Sequence, residues 1–226
     1  MRNIINQLLT FGIAICLLIL ITRCTITQVK PPLSGTNPSP TPVNSTPSGT
    51  PTPAPSAATG DSLKWNHPAW SQELIADFTK NLSVFETATD LTSFCPNYFS
   101  LTPGVKPLVF ANLAVEIAYR ESAFDPNNIY HEQSMGYDSI GLFQLSYSDG
   151  IGPGCTLYAA VDSLQDPINN IDCAVLEMAK LVKRDHLIAS GGPENRIGLS
   201  RYWSTIWPTH FYNEIKAAAR STKGCT

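Results

Sequence analysis

Charge is scarce in this chain and unevenly spread. Asp, Glu, Lys and Arg make up 15% of its 226 residues, and the first sixty contain no acidic side chain. The remainder carries 12 basic and 18 acidic residues, a net of −6. That balance offers no basic face to nucleic acid. There is no Cys-x-x-Cys, which argues against a zinc ribbon or finger. His131-Glu132 opens like a zinc-protease helix, but Met135 stands where the second histidine belongs. Gly136 to Gly141 reads Gly-x-x-Ser-x-Gly, one residue too long for a serine-hydrolase elbow, and no Ser-x-x-Lys occurs. No internal repeat is visible. These absences leave metal-free chemistry, without nucleophilic serine and without a cofactor.

The chain falls into three stretches. In residues 1–28, Arg2 precedes an uncharged run that is almost wholly apolar from Leu8 to Ile21. That length suits a signal-peptide core and is short for a membrane span. The positive start directs the rest of the chain outward. No Ala-x-Ala site follows, so the segment is expected to be a signal peptide or a membrane or lipid anchor. Ile21-Thr22-Arg23-Cys24 resembles a lipobox with Arg23 in place of the usual small residue, which makes Cys24 the lipidation candidate. Within the linker, residues 29–62, positions 31–60 hold nine prolines among Ser, Thr, Gly and Ala, and no charge. Such a composition cannot bury enough apolar surface to fold. As an extended polyproline-like tether it would reach about 90 Å. Residues 63–226 are long enough for one domain with one core. Their four cysteines, Cys95, Cys155, Cys173 and Cys225, read as two disulfides in an exported domain. Three pairings are open. The expected one joins Cys155 to Cys173 across a short loop and ties Cys225 back to Cys95.

Helices dominate the domain. Pro68 fits the first turn of a helix running to about Phe85, with Trp70, Leu74, Phe78 and Leu82 inward. A second helix is expected from Pro107 to Phe124, ended by Asp125-Pro126. Asp166 can cap a third, with Pro167 at its first position and Ile171, Val175, Met178 and Val182 inward, ending near Leu187. Pro193 is expected to open a fourth, with Leu199 and Trp203 inward, and Pro208 the last, reaching Ala219. Residues 126–140 read as a loop or short hairpin, and Gly150 to Gly154 as a loop.

On the second helix Val109, Leu113, Ile117 and Glu121 recur at steps of four, so Glu121 ends the stripe that faces the core. The ordinary alternative is a helix-end glutamate turned to solvent or paired with Arg120. A carboxyl buried beside Phe124 loses solvation and its pKa rises. A carboxylic acid still protonated near neutral pH is what glycoside cleavage needs to protonate a leaving oxygen.

Four blocks carry a resemblance. They are Glu121-Ser122-x-Phe124-Asp125-Pro126, Ser139-x-Gly141-Leu-Phe-Gln144, Asp166-Pro167-x-x-Asn170-Ile171 and Leu199-Ser-Arg-Tyr202-Trp203. In this order and spacing, over about residues 108–207, the chain resembles the lytic transglycosylases and goose-type lysozymes. The resemblance implies a mainly α, lysozyme-like fold with at most a small hairpin near residues 130–145. It implies cleavage of peptidoglycan strands at the β-1,4 bond between N-acetylmuramic acid and N-acetylglucosamine. Glu121 would be the general acid and then the base that closes a 1,6-anhydro ring. Ser139, Gln144 and Tyr202 would hold the sugars. The family's Tyr-Asn pair is Tyr202-Trp203 here, so only the tyrosine carries over. In the alternative hydrolytic version a second carboxylate positions water, and Asp138 is the candidate, because Ser146 stands near the place of the other goose-type acid. Trp203 and Trp207 read as core, and Tyr130, Tyr137 and Tyr147 as aromatics around the cleft. The expected protein is an exported monomer of the periplasm or cell envelope, membrane-anchored, lipidated or secreted. The rival readings are a non-catalytic wall-binding module and a partner protein on a lysozyme-like scaffold.

Overall fold

The computed structural model describes residues 63–148, 154–155 and 163–226, all within the unit Pro51–Thr226. The expected anchor, the tether, Cys24 and most of the Gly150–Gly154 loop lie outside the described residues. What is described is mainly helical, with two short antiparallel hairpins.

Helix α1 spans Pro68–Lys80 with Pro68 in its first turn and Leu74 and Phe78 fully buried. It stops five residues earlier than the apolar period suggests. Asn81 turns its side-chain amide onto the Asp77 carbonyl at 2.9 Å, and its own backbone N–H bonds the same oxygen. A carbonyl shared in this way ends the ladder. The short α2, Leu82–Phe85, then resumes and buries Phe85. After α3, Leu91–Phe94, and a 3-10 turn at Tyr98–Ser100 comes the central helix α4, Lys106–Ser122. Val109, Phe110, Ala111, Leu113, Ala114, Val115, Ile117 and Ala118 are all buried, so it is enclosed on most sides. It packs against α1 and α6, while α1 also packs against α5.

Helix α5, Pro167–Asp185, begins as its sequence indicates. Asp166 accepts a 2.8 Å hydrogen bond from the Asn169 backbone, and Pro167 needs no partner for a missing N–H. Ile171, Val175, Met178 and Val182 are fully buried. His186, left-handed at φ 52°, closes the helix.

The segment after α5 departs from expectation. Pro193 opens no helix. Strand β3, Ala189–Ser190, pairs with β4, Ile197–Gly198, and two 3-10 turns follow at Leu199–Arg201 and Ser204–Ile206. Gly198 explains the break. It sits at φ +62°, and a Cβ there would lie 2.3 Å from the Ile188 carbonyl oxygen. The chain must cross itself at that point, which a continuous helix cannot do. Trp203 lies between the two turns, so Trp203 and Trp207 are not one α-helical turn apart. Helix α6, Tyr212–Arg220, starts after Phe211, whose N–H bonds the Thr205 carbonyl, and not at Pro208.

Both disulfides take the expected pairing, Cys95–Cys225 and Cys155–Cys173. The first closes a span of 130 residues. Replacing both Cys95 and Cys225 with serine should lower stability by roughly 2–5 kcal/mol, read by urea unfolding. A change below about 1 kcal/mol would mean that the denatured chain is not constrained by this bond.

Candidate active site

Helix α4 ends where its last turn meets the Gly141–Gln144 segment. Ser122 donates its hydroxyl to the Ala118 and Leu142 carbonyls, at 3.2 and 3.0 Å. Ala123 and Phe124 then both take positive φ, 52° and 68°. The helix therefore stops at Ser122, two residues before the expected Phe124. The reversal folds Phe124 back onto Tyr119 and Trp65, with ring centroids 5.3 and 6.1 Å away. Two left-handed non-glycine residues in a row store strain, which the surrounding packing must hold. Their effect is to leave Glu121 at the lip of the helix, facing a cleft.

The cleft holds about 470 Å³, and its lining includes Glu121, Glu132, Ser139, Gln144 and Tyr202. Glu121 is mostly buried, and its Oε1 accepts a 2.7 Å hydrogen bond from the Thr205 hydroxyl. Burial pushes its pKa up to about 7. The Thr205 hydrogen bond opposes that rise, and the nearby Glu132 charge adds to it. Glu121 does not pair with Arg120, which bonds Glu116 at 2.8 Å. Because the Thr205 bond favours the ionised form, Thr205→Val should move the alkaline limb of any activity profile to higher pH. An unmoved limb would remove Glu121 as the group that sets it.

The floor of the cleft is fixed by one side chain. Asn170, fully buried in α5, accepts from the Phe143 N–H at 3.0 Å and donates to the Ile140 and Leu164 carbonyls at 3.0 and 2.8 Å. Gly141 lies against it at φ +77°, and a Cβ there would come within 2.4 Å of the Leu164 oxygen and 2.5 Å of Asn170 Nδ2. Gly141→Ala should therefore cost about 2 kcal/mol or more by thermal unfolding, through strain and loss of the clasp. A variant as stable as the parent would show that the segment can shift freely. Gln144, itself at φ 50°, donates its amide to the Asn128 and Gly141 carbonyls at 3.1 and 2.9 Å.

The hairpin β1, Ile129–Glu132, with β2, Tyr137–Ile140, forms one wall. Its register pairs Tyr130 with Ser139, His131 with Asp138 and Glu132 with Tyr137. Residues directly opposite share a face, and neighbours along a strand do not. Tyr130, Glu132, Tyr137 and Ser139 line the cleft. His131 and Asp138 take the other face, bonded to each other at 2.7 Å and both well exposed. Asp138 therefore stands outside the cleft, and the carboxylate that lines it beside Glu121 is Glu132. In the sequence Glu132 shows only as part of a failed zinc motif. Strand parity was the available signal, since a cleft-facing Ser139 implies an outward Asp138. Ser139 donates to Glu132 Oε1 at 3.2 Å.

On the opposite wall Tyr202 lines the cleft, half-buried, with its ring tilted against Trp203 at 4.6 Å. Trp203 is buried and donates its indole N–H to the Phe143 carbonyl at 2.9 Å. Tyr147 and Trp207 do not line the cleft. Tyr147 accepts from the Leu164 N–H, and Trp207 donates to the Ser200 carbonyl. Thr205, 84 residues from Glu121, had no sequence signal. Among the described residues no group of three or more His, Cys, Asp or Glu side chains could hold a metal ion.

Residues 102–188 match the Transglycosylase SLT domain family. A wild-type form of DslA is similar at 27% identity over 74% of this chain and 95% of its own, with a TM-score of 0.62. A glutamate-to-glutamine mutant of DslA matches at 26% identity over the same shares, with a TM-score of 0.63. A second such mutant alters a glutamate eleven residues further along that protein. No curated protein matches the chain. The helix that ends in Glu121, the hairpin wall and the Asn170 clasp thus sit in a mainly α, lysozyme-like fold whose residues 102–188 are similar to the Transglycosylase SLT domain family.

Proposed function

We propose that this protein cleaves peptidoglycan glycan strands at the β-1,4 bond between N-acetylmuramic acid and N-acetylglucosamine, with Glu121 as general acid. The observation that carries this reading is a carboxyl at the cleft lip whose burial raises its pKa to about 7. Such a group still holds a proton to give to the leaving oxygen at neutral pH. Ser139, Gln144 and Tyr202 would bind the sugars.

Glu132 bears on the step after the glycosidic bond breaks. It lines the same cleft, and its charge acts on Glu121. The interval from Glu121 to Glu132 is eleven residues, the same as between the two glutamates altered in DslA. A second carboxylate can activate water, so the reading best supported by the geometry is hydrolysis, with Glu132 and not Asp138 positioning the water. The SLT family match favours a second reading. In that one Glu121 also acts as base, and the muramic 6-hydroxyl closes a 1,6-anhydro ring without water.

Incubation with purified sacculi tests the proposal. Release of fragments supports it, and pelleting without release would make the protein a wall-binding module. Mass spectrometry separates the two chemistries, because reducing and anhydro ends differ by one water. The proposal extends to placement: residues 1–28 would direct export or anchor the chain in the membrane, and residues 29–62 would tether a monomeric domain, residues 63–226, in the cell envelope. Among the described residues no helix is long and apolar enough to cross a membrane.

A further inference from the structure

The cleft is electrically lopsided. Glu121 and Glu132 belong to its catalytic part, while two arginines, Arg196 and Arg201, line it as well. They are not equivalent. Arg201 bonds both oxygens of Asp185, one through Nε and the other through Nη2 at 3.1 Å, so its charge is spent inside the fold. Arg196 has no such partner among the described residues. Its Nε donates to the Pro193 carbonyl at 3.3 Å, and its guanidinium lies over the Trp207 ring at 5.1 Å. Trp207 is fixed in turn by the Ser200 carbonyl at 2.9 Å. Among the described residues, neither Nη group of Arg196 has a hydrogen-bond or ion-pair partner.

A guanidinium stacked on an anchored indole is held in place with its terminal donors unused. Of the two arginines that line the cleft, Arg196 is therefore the one that offers unpaired terminal donors to an anionic group on a ligand. We infer that Arg196 is a specificity residue that recognises a carboxylate on the glycan substrate. The inference rests on the glycan-cleaving reading of the cleft and adds a substrate feature to it. Two sources of carboxylate exist on such strands. One is the acids of the peptide stems, and the other is the lactyl group that is freed when a stem is removed. Both would meet Arg196 through paired N–H donors.

The test measures binding by the full chain carrying Glu121→Gln, so that ligands survive. Three probes are used: glycan fragments with stems, the same fragments stripped by an amidase, and N-acetylglucosamine oligomers without any carboxylate. The parent should favour one carboxylate-bearing probe over the neutral oligomer by about tenfold or more, and the favoured probe identifies the source. Arg196→Gln should bring that ratio close to one. Arg196→Lys should keep part of it, because the charge remains while the paired geometry is lost. Added salt should weaken the preference, since the site is open to solvent. An unchanged ratio in Arg196→Gln would overturn the inference and leave the cleft's function intact. No binding of any probe, together with no cleavage by the wild type, would overturn the glycan reading itself, and this inference with it.

Discussion

Glu121→Gln should abolish release of fragments from sacculi while the domain stays folded. Removing a general acid typically costs a factor of 100 to 10,000. Glutamine keeps the shape and can still accept from Thr205, so the loss would be chemical. A folded variant within tenfold of wild type would sink the assignment. The same substitution has an opposite effect on stability. In the folded chain the Glu121 pKa is raised from 4.5 to about 7. The unfolded chain ionises first as pH rises, so Glu121 stabilises the fold least above pH 7, and stability drains away between about 4.5 and 7. Above that window the glutamine variant should be the more stable protein, by on the order of 3 kcal/mol at most. An inactive variant that unfolds later than its parent at pH 8 would be the mark of a group held in place for chemistry and against stability. Wild-type activity should fall as pH rises through about 7, because the proton to be donated is then lost.

Glu132→Gln should cost at least about 100-fold if the enzyme directs water with this carboxylate. Asp138→Asn should stay within severalfold, since Asp138 faces away from the cleft and bonds His131. Glu132→Gln carries a second readout. The Glu132 charge helps to raise the Glu121 pKa, so its loss should move the alkaline limb to lower pH. The limb shift reports proximity and the rate reports mechanism, and the two can be separated. A variant that keeps its rate and makes anhydro ends, yet shows the shifted limb, would make the protein a transglycosylase in which Glu132 is only a neighbour.

Much of the fold is legible in the residues. The period from Val109 to Ile117 places Glu121 on the inner face of α4, and the structure buries all three apolar positions. Asp166-Pro167 marks the start of α5 to the residue. These signals are local, and local chemistry decides them. The features that sequence does not reveal depend on distance or parity. The meeting of Thr205 and Glu121 is decided by how α4 and the turn after Trp203 pack. Glu132 and Asp138 are both acids in one hairpin, and only its register tells which one faces inward. The β3–β4 hairpin reads as a helix in sequence because Pro193 is a good helix opener in isolation. The self-crossing at Gly198 is a tertiary fact. Asn81, which splits the first helix, competes through its own side chain, and an apolar period does not record that.

The Asn170 clasp has a consequence for motion. The Phe143 N–H is held by a side chain with no solvent exposure, and the Ile140 and Leu145 N–H groups bond each other's carbonyls at 2.7 and 3.0 Å. None of these three amides belongs to a helix, yet each should exchange with deuterated water only when the whole domain opens. The facing hairpin is built differently. Ile129 and Tyr130 are more than half exposed, and only four residue pairs hold the ladder. Apart from Ile140, where β2 ends against Leu145, its amides should exchange through local fluctuations. The cleft then has one immobile side, which sets the general acid, and one yielding side, which carries the second carboxylate. A bulky glycan would be admitted by displacement of Glu132 and its strand, with Glu121 and its helix standing still.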